Sequence, residues 1–192
     1  MAGRIEDYAL IGDSRTVALV CRSGSIDWFC APRIDSGACF AALLGTEDHG
    51  RWSIAPVQEP LSVQRRYEPD TLVLETTFET SDGTVALFDF MVPDSEHPTI
   101  HRIVECRGGS VELAMELVVR FDYGSITPWV TSTGDGQRLV AGPEGLRFHS
   151  SVPLDAERMR TTARFTITEG TRRAFSLTSF DSAGADPHPL DS

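Results

Sequence analysis

One short group of polar and aromatic residues could contact a sugar. Asp27 and Trp28 are adjacent, and Arg33 and Asp35 follow within a few residues. An aromatic face packs against the C–H groups of a sugar ring, while charged side chains hydrogen-bond its hydroxyls. Pro32 indicates an irregular loop, where binding residues tend to lie. The alternative is structural: Trp28 belongs to the core, Arg33 pairs with Asp35, and Asp35 caps a helix.

A second candidate group ends the most regular strand pattern of the sequence. Arg120, Asp122 and Tyr123 lie within the run 120–124, which is rich in polar and aromatic side chains. Such a group could contact a partner or a substrate. It could equally be an ordinary strand end in which Arg120 pairs with Asp122. Both interpretations stay open at this point.

The composition excludes several catalytic chemistries. All 17 basic residues are arginine, and the chain contains no lysine. It therefore cannot form a Walker A phosphate loop, a lysine Schiff base or a Ser-x-x-Lys nucleophile. The four cysteines form no C-x-x-C pair, so buried small hydrophobic side chains are favoured over metal ligands. We expect no metal site and no cofactor.

Charge and hydropathy limit the classes of partner. The net charge of −11 argues against a nucleic-acid partner, because such proteins carry a basic surface. No apolar run reaches the roughly 18 residues of a membrane span, and the N-terminus lacks the order of a signal peptide. Reduced thiols without a leader predict a cytoplasmic protein that binds no membrane.

Alternation of apolar and polar residues predicts β-strands through most of the chain. In the clearest run, five apolar residues share one face: Val111, Leu113, Met115, Leu117 and Val119. Glycine-containing turns at 82–83 and 134–136 predict hairpins between neighbouring strands. Short strands at regular spacing predict an all-β fold, an antiparallel β-sandwich.

Two segments depart from the strand pattern. One short helix is predicted near 36–44, with Asp35 or Ser36 as its N-cap and Gly45 at its end. Residues 181–192 have the composition of a linker. We therefore predict a β-sandwich domain over 1–180 and the start of a linker over 181–192.

Several motifs resemble the N-terminal region of one enzyme family. They lie at 5–20, 24–36, 49–52, 65–67, 71–78, 89–91 and 120–124. This pattern is similar to that of bacterial trehalase-like and glucoamylase-like proteins of glycoside hydrolase family 15, over about residues 4–180. Ile34 and Gly37 stand where that family more often has Phe and Pro.

The resemblance implies a supersandwich-like domain followed, in the same polypeptide, by an (α/α)6 helical barrel. That barrel carries the general acid and general base that hydrolyse an α-glucosidic bond with inversion. The resemblance therefore implies no catalytic residue in this chain, whose role would be to brace the barrel and line its substrate rim. The run 120–124 would face the barrel. An apolar docking patch is expected around 28–40 and 121–129.

Two other functions remain as alternatives. The chain could be a free-standing carbohydrate-binding β-sandwich, or a module for homo-oligomerisation. A binding module usually exposes a row of aromatic side chains, and this chain has only three Trp and three Tyr. The N-terminal domain of an α-glucoside hydrolase is therefore the favoured function.

Overall fold

The computed structural model describes residues 3–157 and 159–187. Its strands are β1 (Tyr8–Gly12), β2 (Val17–Cys21), β3 (Ser25–Cys30), β4 (Ala38–Phe40), β5 (Arg51–Pro56), β6 (Ser62–Tyr67), β7 (Leu74–Glu79), β8 (Gly83–Met91), β9 (Thr99–Val118), β10 (Trp129–Thr133), β11 (Gly136–Ala141), β12 (Glu144–Ser150), β13 (Asp155–Glu157), β14 (Arg160–Thr168) and β15 (Arg172–Asp181). Short 3-10 helices lie at Ile5–Asp7, Ala42–Leu44, Glu47–His49 and Asp122–Gly124. No helix in the described ranges is long and apolar enough to cross a membrane.

The strands form two antiparallel layers that share β9, as the predicted all-β sandwich requires. One layer has the order β1-β2-β3-β5-β9-β14-β13, with β4 paired to β3. The other has the order β6-β7-β8-β9-β15-β12-β11-β10. Hydrogen bonding is continuous from one layer to the other through β9, and the sheet does not close into a barrel.

Strand β9 bends to belong to both layers. It has 20 residues, and a straight strand of that length would span about 66 Å, more than the width of a compact domain of this size. Its first half pairs with β8 and β15, and its second half pairs with β5 and β14. Gly109 lies between the halves with φ +76°, where an added Cβ would stand 2.1 Å from the Asp82 carbonyl oxygen. The bend therefore requires glycine.

The core lies between the layers. The Trp52 ring of one layer meets the Phe148 ring of the other edge-on, with centroids 5.5 Å apart. The apolar face predicted along 111–119 is confirmed, because its five side chains are at most 2% exposed: Val111, Leu113, Met115, Leu117 and Val119.

One buried arginine connects the layers through polar contacts. Arg102 on β9 is fully buried and forms an ion pair with Asp89 on β8, with Nε 2.7 Å from Oδ1. Its two terminal nitrogens donate to the carbonyl oxygens of Trp52 and Gly24, each at 2.7 Å. Both carbonyls belong to the opposite layer, so one guanidinium satisfies a buried carboxylate and joins the two layers.

The predicted helix near 36–44 is wrong. Ala38–Phe40 is strand β4, which pairs with β3, and Ala42–Leu44 makes only a single 3-10 turn. The β4 side chains are all at most 1% exposed. A surface helix needs one polar face towards solvent, and this segment has none. Asp35 does not cap a helix, because its carboxylate binds Arg33.

The predicted linker is described as far as residue 187. Residues 182–187 run beside β11, where Arg138 donates to the Ser182 carbonyl oxygen at 2.9 Å and to the Asp186 carboxylate at 2.8 Å. The remaining residues of the predicted linker, 188–192, lie outside the described residues.

The buried ion pair predicts a large mutational effect. Replacing Arg102 with Met should lower the free energy of unfolding by about 3–5 kcal/mol, because Asp89 and two carbonyls would stay buried without their donor. Arg164→Met is the matched control, since Arg164 is exposed and stands 3.7 Å from Glu112. We expect that control to cost less than about 1 kcal/mol. Equal losses of stability in the two variants, measured by urea unfolding, would contradict this role of Arg102.

A second prediction concerns acid stability. Burial tends to raise the pKa of Glu75, but hydrogen bonds from Arg107, Thr77 and Arg66 outweigh it and lower the pKa from 4.5 to about 2. A lowered carboxyl pKa stabilises the fold above the unfolded pKa, and this contribution is lost as the pH falls from about 4.5 towards 2. Glu75→Gln should therefore destabilise the protein at pH 6 and differ little from the wild type near pH 2. Exposed Glu59→Gln serves as the control, and parallel pH profiles for all three proteins would refute the assignment.

Candidate functional site

The longer connections of the sandwich meet at one end, which we call the loop end. It comprises residues 13–16, 31–37, 92–98, 120–128, 142–143 and the last residues of β15. The backbone geometry brings these segments together because β9 both begins and finishes there. Two hollows open on this surface, and Pro143 and Glu144 line both of them.

The first hollow is a cleft of about 620 Å³. Its apolar lining includes Phe121, Leu146 and Phe180, all of which are largely buried. Charged side chains, among them Arg33 and Glu144, stand around it. This volume and this combination of an apolar lining with a few polar groups are typical of small-molecule sites.

The second hollow is wider, shallower and more apolar, with a volume of about 800 Å³. Ile126, Trp129 and Met159 line it, and these side chains are 46%, 79% and 65% exposed. Asp122 and Glu144 lie at its border. We call it the apolar hollow. Its large exposed side chains are unusual for a surface that only solvent covers.

A strained turn presents Tyr123 beside this hollow. Asp122, Tyr123 and Gly124 are consecutive and all have positive φ, at 49°, 58° and 103°. Backbone hydrogen bonds between Phe121 and Ile126, at 2.8 and 3.0 Å, close the turn. Trp28 packs on Tyr123 with ring centroids 6.0 Å apart. The structure thus brings Trp28, from the first candidate group of the sequence, into contact with Tyr123, from the second.

Arg33 and Asp35 form an exposed ion pair. Arg33 Nε stands 2.9 Å from Asp35 Oδ1, and both side chains are about two-thirds exposed, at 70% and 67%. The hydrogen bond from Arg33 lowers the pKa of Asp35. Arg33 also lines the cleft, so this pair can be structural and still lie within reach of a ligand.

Asp27 lies away from this surface. It is 7% exposed and accepts hydrogen bonds from the Tyr8 hydroxyl at 2.7 Å and the Ser25 hydroxyl at 2.5 Å. Asp27 is the extra residue of a bulge in β3, where Leu19 pairs with Trp28 and Val20 with Ile26. Its carboxylate binds Tyr8 and Ser25, whereas the Trp28 ring packs on Tyr123, so the two side chains do not share contacts. Burial and the bond to Asp27 raise the pKa of Tyr8.

Arg120 is held by the backbone. Its guanidinium donates to the carbonyl oxygen of Val119 at 2.7 Å and to that of Met159 at 3.3 Å. Burial lowers its pKa. Arg120 therefore ties the start of the 120–128 loop to residue 159, beside the apolar hollow.

Glu144 is a site residue that the sequence interpretation missed. Burial raises the pKa of Glu144, and the nearby charge of Asp122 raises it further. The sequence shows 142–145 only as a turn, and nothing local indicates that its glutamate would meet Asp122. Their proximity depends on the long-range pairing of β12 with β15.

The described residues offer no cluster of three or more His, Cys, Asp or Glu side chains that could hold a metal ion. Cys21, Cys30, Cys39 and Cys106 are free and buried. Burial raises the pKa of Cys39 and of Cys30, which keeps both as thiols.

Sequence comparisons assign the chain to a family. The family described as "Trehalase-like, N-terminal" matches residues 1–173. A trehalase of Mycolicibacterium smegmatis is 29% identical over 194 residues, covering 86% of this chain and 29% of that protein. A trehalase of Thermoplasma volcanium is 31% identical over 158 residues, covering 79% of this chain and 25% of that protein. This chain thus spans less than a third of the length of either relative, and it belongs to the trehalase-like N-terminal domain family.

Proposed function

We propose that this chain is the non-catalytic N-terminal β-sandwich of an α-glucoside hydrolase of the trehalase or glucoamylase type. Its partner is a catalytic helical barrel in the same polypeptide, and its loop end docks on that barrel. The α-glucoside substrate is contacted only indirectly, at the rim of the barrel's site. Two of the longer relatives are named trehalases and match this chain over a quarter to a third of their own length, which supports a further domain.

The apolar hollow is the observation that carries this proposal. Ile126, Trp129 and Met159 expose large apolar surfaces within a single concavity. Covering such a surface is favourable by about 25 cal/mol per Å² of apolar area removed from water. A neighbouring domain that fits the hollow would remove this apolar area from water and so stabilise the assembly.

The cleft supports a role at the substrate rim. It adjoins the hollow through Pro143 and Glu144, so a domain seated on the hollow would lie beside the cleft. Arg33, Asp35 and Trp28 are the rim candidates, together with Tyr123 and Asp122 at the strained turn. Asp27 is not included as a substrate contact because it is buried, and Arg120 is not included because two backbone carbonyls hold its guanidinium. We also propose a cytoplasmic location, which four free buried cysteines support.

Docking through the apolar hollow is tested with Ile126→Asp in the full-length polypeptide. A charge in the contact should uncouple the domains, seen as separate unfolding transitions and as a lower kcat/KM for the α-glucoside. Leu61→Asp is the matched control, since Leu61 is 73% exposed and its amide binds the Glu79 carbonyl oxygen, beside the turn at 80–83 at the opposite end of the sandwich. If the two variants behave alike in calorimetry and kinetics, the hollow is not the docking surface.

The rim contact is tested with Arg33→Ala in the same polypeptide. A contact that holds the ground and transition states alike should raise KM and leave kcat nearly unchanged. Loss of one charged hydrogen bond predicts a drop of about ten- to a hundredfold in kcat/KM. Arg172→Ala provides the control, because Arg172 is 71% exposed and pairs with Glu105 far from the loop end. Unaltered KM and kcat in the Arg33 variant would leave Arg33 as the structural partner of Asp35.

A further inference from the structure

Five strands have only one hydrogen-bonded neighbour among the described residues: β1, β4, β6, β10 and β13. Each such edge presents backbone N–H and C=O groups that could pair with another chain. Natural proteins protect edges with charged side chains, with very short strands, or by covering the backbone. The way each edge is protected therefore indicates where a pairing partner is tolerated.

The long edges β1 and β6 protect one another. The Tyr67 hydroxyl on β6 accepts a hydrogen bond from the Leu10 amide at 3.0 Å and donates one to the Leu10 carbonyl oxygen at 2.8 Å. On β6 itself, the Arg22 guanidinium donates to the Val63 carbonyl oxygen. Arg65 and Arg66 add charge along the same strand. Neither edge offers an open, neutral backbone.

The remaining edges β4 and β13 are short. Each has three residues. On β4, the Arg120 amide donates to the Cys39 carbonyl oxygen at 3.2 Å, so the loop end covers that edge. On β13, Asp155 and Glu157 are acidic and exposed. Both strands are thus poor templates for pairing.

Strand β10 has none of these protections. It has five residues, Trp-Val-Thr-Ser-Thr, without a charged or proline residue. Trp129 is 79% exposed and Val130 is 39% exposed, and Thr131 and Ser132 are exposed as well. Within the described ranges β10 pairs only with β11. Its β-branched and aromatic composition favours strand pairing.

We propose that β10 pairs antiparallel with β10 of a second copy of this chain. A two-fold axis at Thr131 places Trp129 opposite Thr133 and Val130 opposite Ser132 of the second copy. In an antiparallel ladder, alternate residues direct their N–H and C=O groups outwards, and the two-fold axis matches these groups in both copies. Each copy carries a net charge of −11, so a neutral edge is where two copies approach with the least repulsion.

The size of the contact sets its strength. A standard interface uses about 20–30 residues from each side, whereas this strand provides five. The dimer is therefore weak, and the fraction of chains in it rises with protein concentration. Added salt strengthens it, because screening reduces the repulsion between two like-charged copies. An interface built on ion pairs would respond in the opposite direction.

The test is sedimentation velocity on this chain over a range of concentration and salt, with Thr131→Glu as the disrupting variant. The variant places two carboxylates opposite each other at the two-fold axis. Within one copy, residue 131 lies opposite Arg138 of the neighbouring strand β11. Ser110→Glu adds the same charge at an exposed position inside β9, and Thr131→Val keeps a neutral branched side chain. Dimer should form in the wild type, in Ser110→Glu and in Thr131→Val, and be lost in Thr131→Glu.

A second measurement needs no variant. Hydrogen exchange of the β10 amides should slow as the protein concentration rises, while exchange along β1 should not change. A wild type that stays monomeric in high salt at its highest soluble concentration, or a dimer that persists in folded Thr131→Glu, overturns the proposal. Because the experiment uses this chain without a catalytic domain, its outcome is independent of docking. Ile126→Asp should leave self-association unchanged.

Discussion

The buried guanidinium of Arg102 is the contact on which the arrangement of the two layers depends. It binds Asp89 in its own layer and the carbonyls of Trp52 and Gly24 in the other, and neither charged side chain touches solvent. Hydrophobic contact alone would allow one sheet to slide over the other with little change in buried area. The hydrogen bonds between the planar guanidinium and the two carbonyl oxygens would not allow such sliding. This contact fixes how β5 packs across the core against the first half of β9, while the backbone ladder with the second half of β9 fixes β5 within its own layer.

The two ends of the sandwich differ because of that arrangement. At the end opposite the loops, tight glycine turns such as that at Gly83 pack against the bend of β9. At the loop end, longer connections carry exposed aromatic and aliphatic side chains and a strained turn at Asp122–Gly124. Strained backbone persists only where the surrounding structure holds it, and it concentrates at sites of contact. One end thus stabilises the sandwich, while the other has the features of a binding surface.

Local patterns of apolar and polar residues predicted most of the fold. The alternation along 111–119 identified a buried strand face, because period two fits only an extended chain. The segment Ala38–Phe40 misled the same approach, since small apolar residues fit a helix or a buried strand equally well. The roles of Arg102 and Glu144 could not be recognised from local patterns. The partners of Arg102 lie 13 to 78 residues away in the sequence, and Glu144 meets Asp122 only through the pairing of β12 with β15. The resemblance to a family indicated the loop end as a contact surface, yet it could not separate Asp27 from its neighbour Trp28.

The shared strand β9 also has a consequence for how the chain reaches its native state. Its partners span most of the sequence, from β5 at Arg51–Pro56 to β15 at Arg172–Asp181. The layer that contains β6, β7 and β8 therefore stays incomplete until β15 has been synthesised and has inserted between β9 and β12, whereas the other layer is complete once β14 has paired with β9. Contacts of such long sequence separation make folding slow, because much loop entropy is lost before they form. During that interval the apolar face of β9 is uncovered, and this makes the nascent chain most vulnerable to aggregation before residue 181 emerges.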